Sequence, residues 1–135
     1  MKIPNVFDGT IPRESFPAGA TIFKEGEPGL VMFVIKEGEI ELRIRGRLFE
    51  TLGPDEFFGE MALVEQSVRC ATAIAKTDCK LAPINEREFL FRVRETPFFS
   101  LRIMKTMSSR LRRIDRLYMM DETEFRANEG PAGKA

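Results

Sequence analysis

One glycine, one carboxylate and one guanidinium carry the chemistry that can be read from this sequence. In the segment Phe58–Thr72, FGEMALVEQSVRCAT, Gly59 permits close approach of a backbone to a ligand. Glu60-Met61-Ala62-Leu63 can form one helical turn, whose first N–H groups would seat an anion. Arg69 follows Glu60 by nine residues and enters a strand whose next residues are small: Cys70, Ala71, Thr72. A guanidinium offers a forked donor set matched to two phosphate oxygens. An acidic side chain beside it accepts hydrogen bonds from a sugar hydroxyl. The segment therefore combines a receptor for phosphate with a receptor for a hydroxyl, and small residues leave space between them. The plainer alternative is that Glu60 and Arg69 form an ion pair that holds a loop. The intact glycine, spacing and small residues favour binding.

These residues need a rigid frame, and the chain around them reads as one. From Ser15, short apolar runs alternate with turn residues about every ten positions, the spacing of a β-sandwich or barrel. Breaks fall at Pro17-Ala18-Gly19, Glu25-Gly26-Glu27-Pro28-Gly29, Glu37-Gly38, Gly46 and Leu52-Gly53-Pro54-Asp55. Ile40, Leu42 and Ile44 alternate with Glu41, Arg43 and Arg45 as a half-buried strand should. Arg45-Gly46-Arg47 supplies a tight reversal, and a strand returns through Leu48, Phe49 and Leu52. Residues 71–75 and 80–84 close the β region. Pro83, with no N–H, is expected at an edge or a strand end.

Helix signals follow. Asn85 is a good N-cap with Glu88 three residues later, and Thr96-Pro97 can open a second helix. That helix runs through Leu101, Met104, Met107, Leu111, Ile114, Leu117 and Tyr118 and breaks up near Asp121. Met104, Met107, Leu111, Ile114 and Tyr118 are expected to pack. The lead-in, residues 1–12, is expected to hold one helical turn near Asn5–Asp8. Residues 126–135 are expected to be a disordered tail after a single domain spanning 1–125.

The segment from Phe58 resembles the phosphate-binding cassette of cyclic-nucleotide-binding domains, as in the catabolite activator family, protein kinase A regulatory subunits and cyclic-nucleotide-regulated channels. Those families carry Phe-Gly-Glu, a hydrophobic residue, Ala-Leu, then Arg followed by small residues at this spacing. Upstream, Phe16-Pro17-Ala18-Gly19, Ile22-Phe23, Glu25-Gly26-Glu27, Met32-Phe33-Val34-Ile35 and Gly38-Glu39 fit the family's opening strands. The resemblance covers residues 14–118. It implies a mainly β fold with α: an antiparallel β-roll, jelly-roll-like, of about eight strands, with a short N-terminal helix, a cassette helix and two C-terminal helices.

By the same resemblance, Glu60 would bind the ribose 2′-hydroxyl and Arg69 the cyclic phosphate. Backbone N–H groups around Gly59, Met61, Ala62 and Ala71 would complete the phosphate seat. Val68 stands where a proline is frequent, and Cys70 where Ala, Ser or Thr is usual. A threonine there often accompanies a guanine preference, so cyclic AMP is favoured over cyclic GMP. In the channel relatives an arginine of the last helix stacks on the purine, and Arg110 falls at the corresponding distance from Arg69.

Composition bounds the rest. The chain has 135 residues, 21 basic and 21 acidic side chains, and no histidine. Zero net charge argues against a nucleic-acid or membrane partner, and the arginines of 110–116 read as a solvated helix face. The absence of histidine removes Ser-His-Asp and Cys-His triads and the common zinc sites, and Glu60 and Arg69 are placed to hold a phosphodiester with no second base in view, so neither an enzyme nor a metal or other cofactor is expected. Cys70 and Cys79 suggest no disulfide scaffold, and no signal core is present, so a cytoplasmic chain is expected. Cys70 reads as a small core-like residue ahead of a redox switch. Only about fifteen residues follow Met120, too few for a helix-turn-helix, so a sensor of separate protein effectors is favoured over a transcription factor. A ligand-free interaction domain is the remaining alternative. In a strict seven-residue register Ser108 and Asp115 occupy seam positions of the last helix, which points to a monomer or weak dimer.

Overall fold

Glycine- and proline-bounded apolar runs become short strands in the computed structural model, which describes residues 11–119. The order is β1 (Glu14–Phe16), β2 (Thr21–Phe23), β3 (Met32–Glu37), β4 (Ile40–Ile44), β5 (Arg47–Leu52), β6 (Phe57–Phe58), α1 (Glu60–Glu65), β7 (Thr72–Ala75), β8 (Cys79–Ile84), α2 (Glu86–Glu95) and α3 (Pro97–Met119). The eight strands form two antiparallel four-stranded sheets, β1-β8-β3-β6 and β2-β7-β4-β5. The mainly β roll with a cassette helix and two C-terminal helices is thus the architecture observed. The turn expected near Asn5–Asp8 and the tail expected at 126–135 lie outside the described residues.

Local chemistry explains the pieces. Ile40, Leu42 and Ile44 are buried while Glu41 and Arg43 are half-buried, as their alternation predicts. The reversal after β4 has positive φ at both Arg45 (55°) and Gly46 (78°), the pair that a tight hairpin turn of the I′ class requires. Pro83 lies in an inner strand, paired with Phe33. It sits beyond the last β1 pairing, Glu14 with Leu81, so no N–H is demanded on that side. Asn85 caps α2, its side-chain oxygen accepting the Glu88 N–H at 2.8 Å.

The chain divides into two compact units, Met1–Arg102 and Ile103–Ala135. The core of the first is aliphatic along β3, β4 and β8, where Met32, Ile35, Ile40, Leu81 and Ile84 are fully buried. At one end stands an aromatic cluster. Phe33 and Phe58 lie 5.4 Å apart between ring centroids, Phe23 and Phe58 5.7 Å, and Phe23 and Phe33 6.1 Å. Such offset pairs contribute about 0.5–1.5 kcal/mol each beyond area burial. Phe58 immediately precedes Gly59, so this cluster fixes where the cassette begins.

The second unit corrects one expectation. From Ile103 onward the buried positions of the last helix are Ile103, Thr106 and Arg110, whereas Met104 and Leu111 are more than half exposed. Met107 and Ile114 are half-buried. The sequence-based stripe weighed apolar residues only. The observed stripe is turned by about one residue because Thr106 and Arg110 take buried places in it.

Candidate ligand-binding site

The cassette begins with a backbone reversal that glycine makes cheap. Gly59 has φ +82° and caps α1, and a Cβ there would lie 2.9 Å from Nη1 of Arg69 and 3.4 Å from the Val31 carbonyl. Both the conformation and the close approach disfavour a side chain. The six-residue α1 buries Glu60, Ala62 and Leu63, then ends at Gln66 with φ 53°. The N–H groups of Gln66 and Ser67 both return to the Ala62 carbonyl, which turns the chain back toward Arg69.

Arg69 is held from three sides. Its backbone N–H donates to the Glu27 carbonyl at 2.7 Å, and its carbonyl accepts from Gly26 N–H at 2.8 Å. Pro28 and Val68 form a β-bridge, and Glu25 N–H donates to Thr72 Oγ1 at 3.0 Å. The segment 25–28 therefore zips along 68–72. The guanidinium sits 4.1 Å over the Phe23 ring, and its Nη1 donates to the Gly59 carbonyl at 3.2 Å. A Cβ at Gly29 would meet Nε and Cζ of Arg69, so any side chain there requires the guanidinium to shift.

A cation that is only 6% exposed is costly unless surrounding charge compensates it. Burial lowers the pKa of Arg69 from the usual arginine value; Cys70, Glu27 and Glu60, in that order, act the other way and favour the charged form. Among the described residues its Nε has no hydrogen-bond partner. A buried N–H without an acceptor costs roughly 1–3 kcal/mol, and an anionic oxygen placed there would remove that cost.

Of the residues singled out by sequence, the structure brings two pairs into contact. Gly59 touches Arg69, and Met61 Sδ lies 3.7 Å from Cys70 Sγ. Glu60 is buried and acts on Arg69 through charge. Ala62 and Ala71 are buried. Arg110 belongs to the second unit, on α3. Sequence reasoning missed Phe23, Glu27 and Gly29. The one signal for them was the second glycine of Glu25-Gly26-Glu27-Pro28-Gly29, read only as a turn. Cys70 is also corrected: it is exposed, and Cys79 is the buried cysteine. Phe91 and Phe98 are likewise exposed.

No helix among the described residues is long and apolar enough to cross a membrane. Among those residues, no cluster of His, Cys, Asp and Glu could hold a metal ion.

Comparison with known proteins gives three results. The model of the cyclic nucleotide-binding domain matches residues 13–95. A cyclic AMP receptor protein of Thermus thermophilus is 31% identical over 108 residues, covering 76% of this chain and 50% of the relative. A cyclic nucleotide-gated potassium channel of Mesorhizobium japonicum is 36% identical over 94 residues, covering 70% of this chain and 26% of the channel. The chain therefore spans half or less of the length of these relatives. Among solved structures, the catabolite activator protein of Thermus thermophilus superposes with a TM-score of 0.72 at 26% identity, covering 85% of this chain and 62% of that one.

Proposed function

Because the chain belongs to the cyclic nucleotide-binding domain family, we propose that it is a receptor for a cyclic mononucleotide, with cyclic AMP preferred over cyclic GMP. The observation that carries this reading is Arg69: a buried guanidinium, clamped by Phe23, Gly29 and the Gly59 carbonyl, with Nε unsatisfied. In this reading the cyclic phosphate accepts from Arg69 and from backbone N–H groups around Gly59, Met61, Ala62 and Ala71. Glu60 accepts from the ribose 2′-hydroxyl. Cys70 offers no hydroxyl to a guanine, which supports the adenine preference.

Arg110 supplies the purine contact, its guanidinium plane lying over the base. In this reading the contact forms in one state of the last helix and not in another. Binding therefore biases the helix, since a ligand shifts an equilibrium only through contacts that differ between its states. A protein effector reads that helix. In this reading the site binds and releases its ligand without chemistry.

Isothermal titration of the full chain with cyclic AMP, cyclic GMP and 5′-AMP tests this. Saturable binding of cyclic AMP, weaker binding of cyclic GMP and none of the acyclic monophosphate is expected. Heat indistinguishable from dilution with both cyclic nucleotides would overturn it.

A further inference from the structure

The helix α2 presents a face that the roll leaves uncovered. Arg87, Leu90, Phe91 and Arg94 recur at the spacing that places residues on one side of a helix, and together they line a groove of about 450 Å³. The inward side of α2 is the opposite one, where Phe89 meets Phe99 with ring centroids 5.4 Å apart. Leu90 is 58% exposed and Phe91 43%, and no residue of α2 is fully buried. Among the described residues neither Arg87 nor Arg94 has an ion-pair partner, whereas Glu86 is engaged by Gln66 Nε2 at 3.0 Å. Helices α2 and α3 together carry nine basic and four acidic side chains in a chain whose charges balance, so they are its electropositive part. An apolar pair set between two cations fits a segment that brings acids and an aromatic side chain together.

Beyond the described residues the sequence supplies such a segment: Asp121-Glu122-Thr123-Glu124-Phe125, three acids followed by a phenylalanine. The acidic pair Asp55-Glu56 also adjoins phenylalanines, but Phe57 and Phe58 are both fully buried and unable to serve. The segment follows α3, whose 23 residues make about 34 Å of helix. Six residues beyond Met119 span about 20 Å when fully extended, less than the helix they would retrace to reach α2 of their own chain. We propose that the α2 groove is an interface between two copies of this chain, each seating residues 121–125 of the other. The acids lie on Arg87 and Arg94, and Phe125 lies on Leu90 and Phe91. Such an exchange is reciprocal and closes at a dimer. It goes beyond the receptor reading and does not depend on it, since none of the four groove residues belongs to the cassette.

The experiment is sedimentation velocity of the full chain without nucleotide, from low micromolar to near-millimolar concentration and at low and high salt. Wild type is expected to move from monomer to dimer as concentration rises, and to do so less readily at high salt. Two charge reversals are made, Arg87→Glu with Arg94→Glu on the groove and Glu122→Arg with Glu124→Arg on the segment. Each alone is expected to weaken the dimer at least about tenfold. Mixed in equal amounts, the two proteins are expected to form a heterodimer of near wild-type strength, because both of its interfaces again oppose acids to arginines. Circular dichroism and thermal unfolding verify that the variants are folded, and recovery on mixing is itself a readout that a misfolded variant would not give. A wild type that stays monomeric at near-millimolar concentration would overturn the proposal. So would a dimer that neither double reversal weakens, or a pair of weakened variants that do not associate when mixed. A monomeric chain that instead cosediments with phosphatidylserine vesicles through Arg87 and Arg94 would overturn it in favour of a lipid face. None of these outcomes bears on cyclic AMP binding, which is measured separately by calorimetry.

Discussion

The Nη1 of Arg69 donates to the carbonyl oxygen of Gly59 at 3.2 Å, so the residue that closes the cassette also pins the residue that opens it. Ten positions apart in sequence, they meet because α1 ends in a left-handed Gln66 and the chain doubles back. The loop is held shut by the same guanidinium that the proposed ligand would engage. On that proposal, loop geometry and ligand affinity are coupled through one side chain.

Gly29→Ala tests that coupling without touching a proposed ligand contact. The new Cβ would fall on the guanidinium, with Nε and Cζ both closer than 2.5 Å. Arg69 must move, and with it the donors proposed for the phosphate. Calorimetry is expected to show at least about tenfold weaker cyclic AMP binding, or ~1.4 kcal/mol. Unchanged affinity would mean that Arg69 binds from another position.

Asn85→Ala is the converse control. It removes the side-chain acceptor for Glu88 N–H and with it the cap of α2. Thermal unfolding should show a loss of about 0.5–2 kcal/mol of stability. Affinity should stay within error, since Asn85 lies on α2 and not in the cassette. A large affinity loss would place α2 in the binding mechanism.

Glu60 should be readable through the ligand instead of the fold. If it accepts from the ribose 2′-hydroxyl, 2′-deoxy cyclic AMP should bind wild type poorly and lose little more on Glu60→Gln. Competition titrations of the two nucleotides against both proteins give this double comparison. Additive losses would separate Glu60 from the hydroxyl.

The extent to which this was legible in the sequence follows from how local each signal is. The alternation of Ile40, Leu42 and Ile44, the Arg45-Gly46 reversal and the Asn85 cap depend on neighbouring residues, and each stands as expected. Gly59, Glu60 and Arg69 were legible because their spacing is itself a pattern. The partners of Arg69 were not. Phe23 and Gly29 lie more than thirty positions before it, and only the pairing of segment 25–28 with 68–72 brings them to the guanidinium. Cys70 was misplaced for a related reason. Beside Ala71 and Thr72 it reads as a core residue, yet burial alternates here, and Ala71 takes the inward place. The stripe of the last helix was misjudged because Thr106 and Arg110, both polar, are buried in it.

Hydrogen exchange addresses the proposed output. Saturating cyclic AMP is expected to slow exchange along residues 98–119 as well as around Gly59–Ala71. Arg110→Ala should reduce the protection of the helix more than that of the cassette, and should weaken binding of purine cyclic nucleotides without abolishing it. Protection confined to the cassette would exclude the last helix as the responding element.

The central claim, that Arg69 is the phosphate receptor, is tested most directly by titrating wild type and Arg69→Ala with cyclic AMP under one buffer. Truncating one partner of a buried charged contact costs about 2–5 kcal/mol. A loss of well over tenfold in affinity is therefore predicted, with the fold verified by circular dichroism. Equal affinities in the two proteins would contradict the account and remove Arg69 from the site.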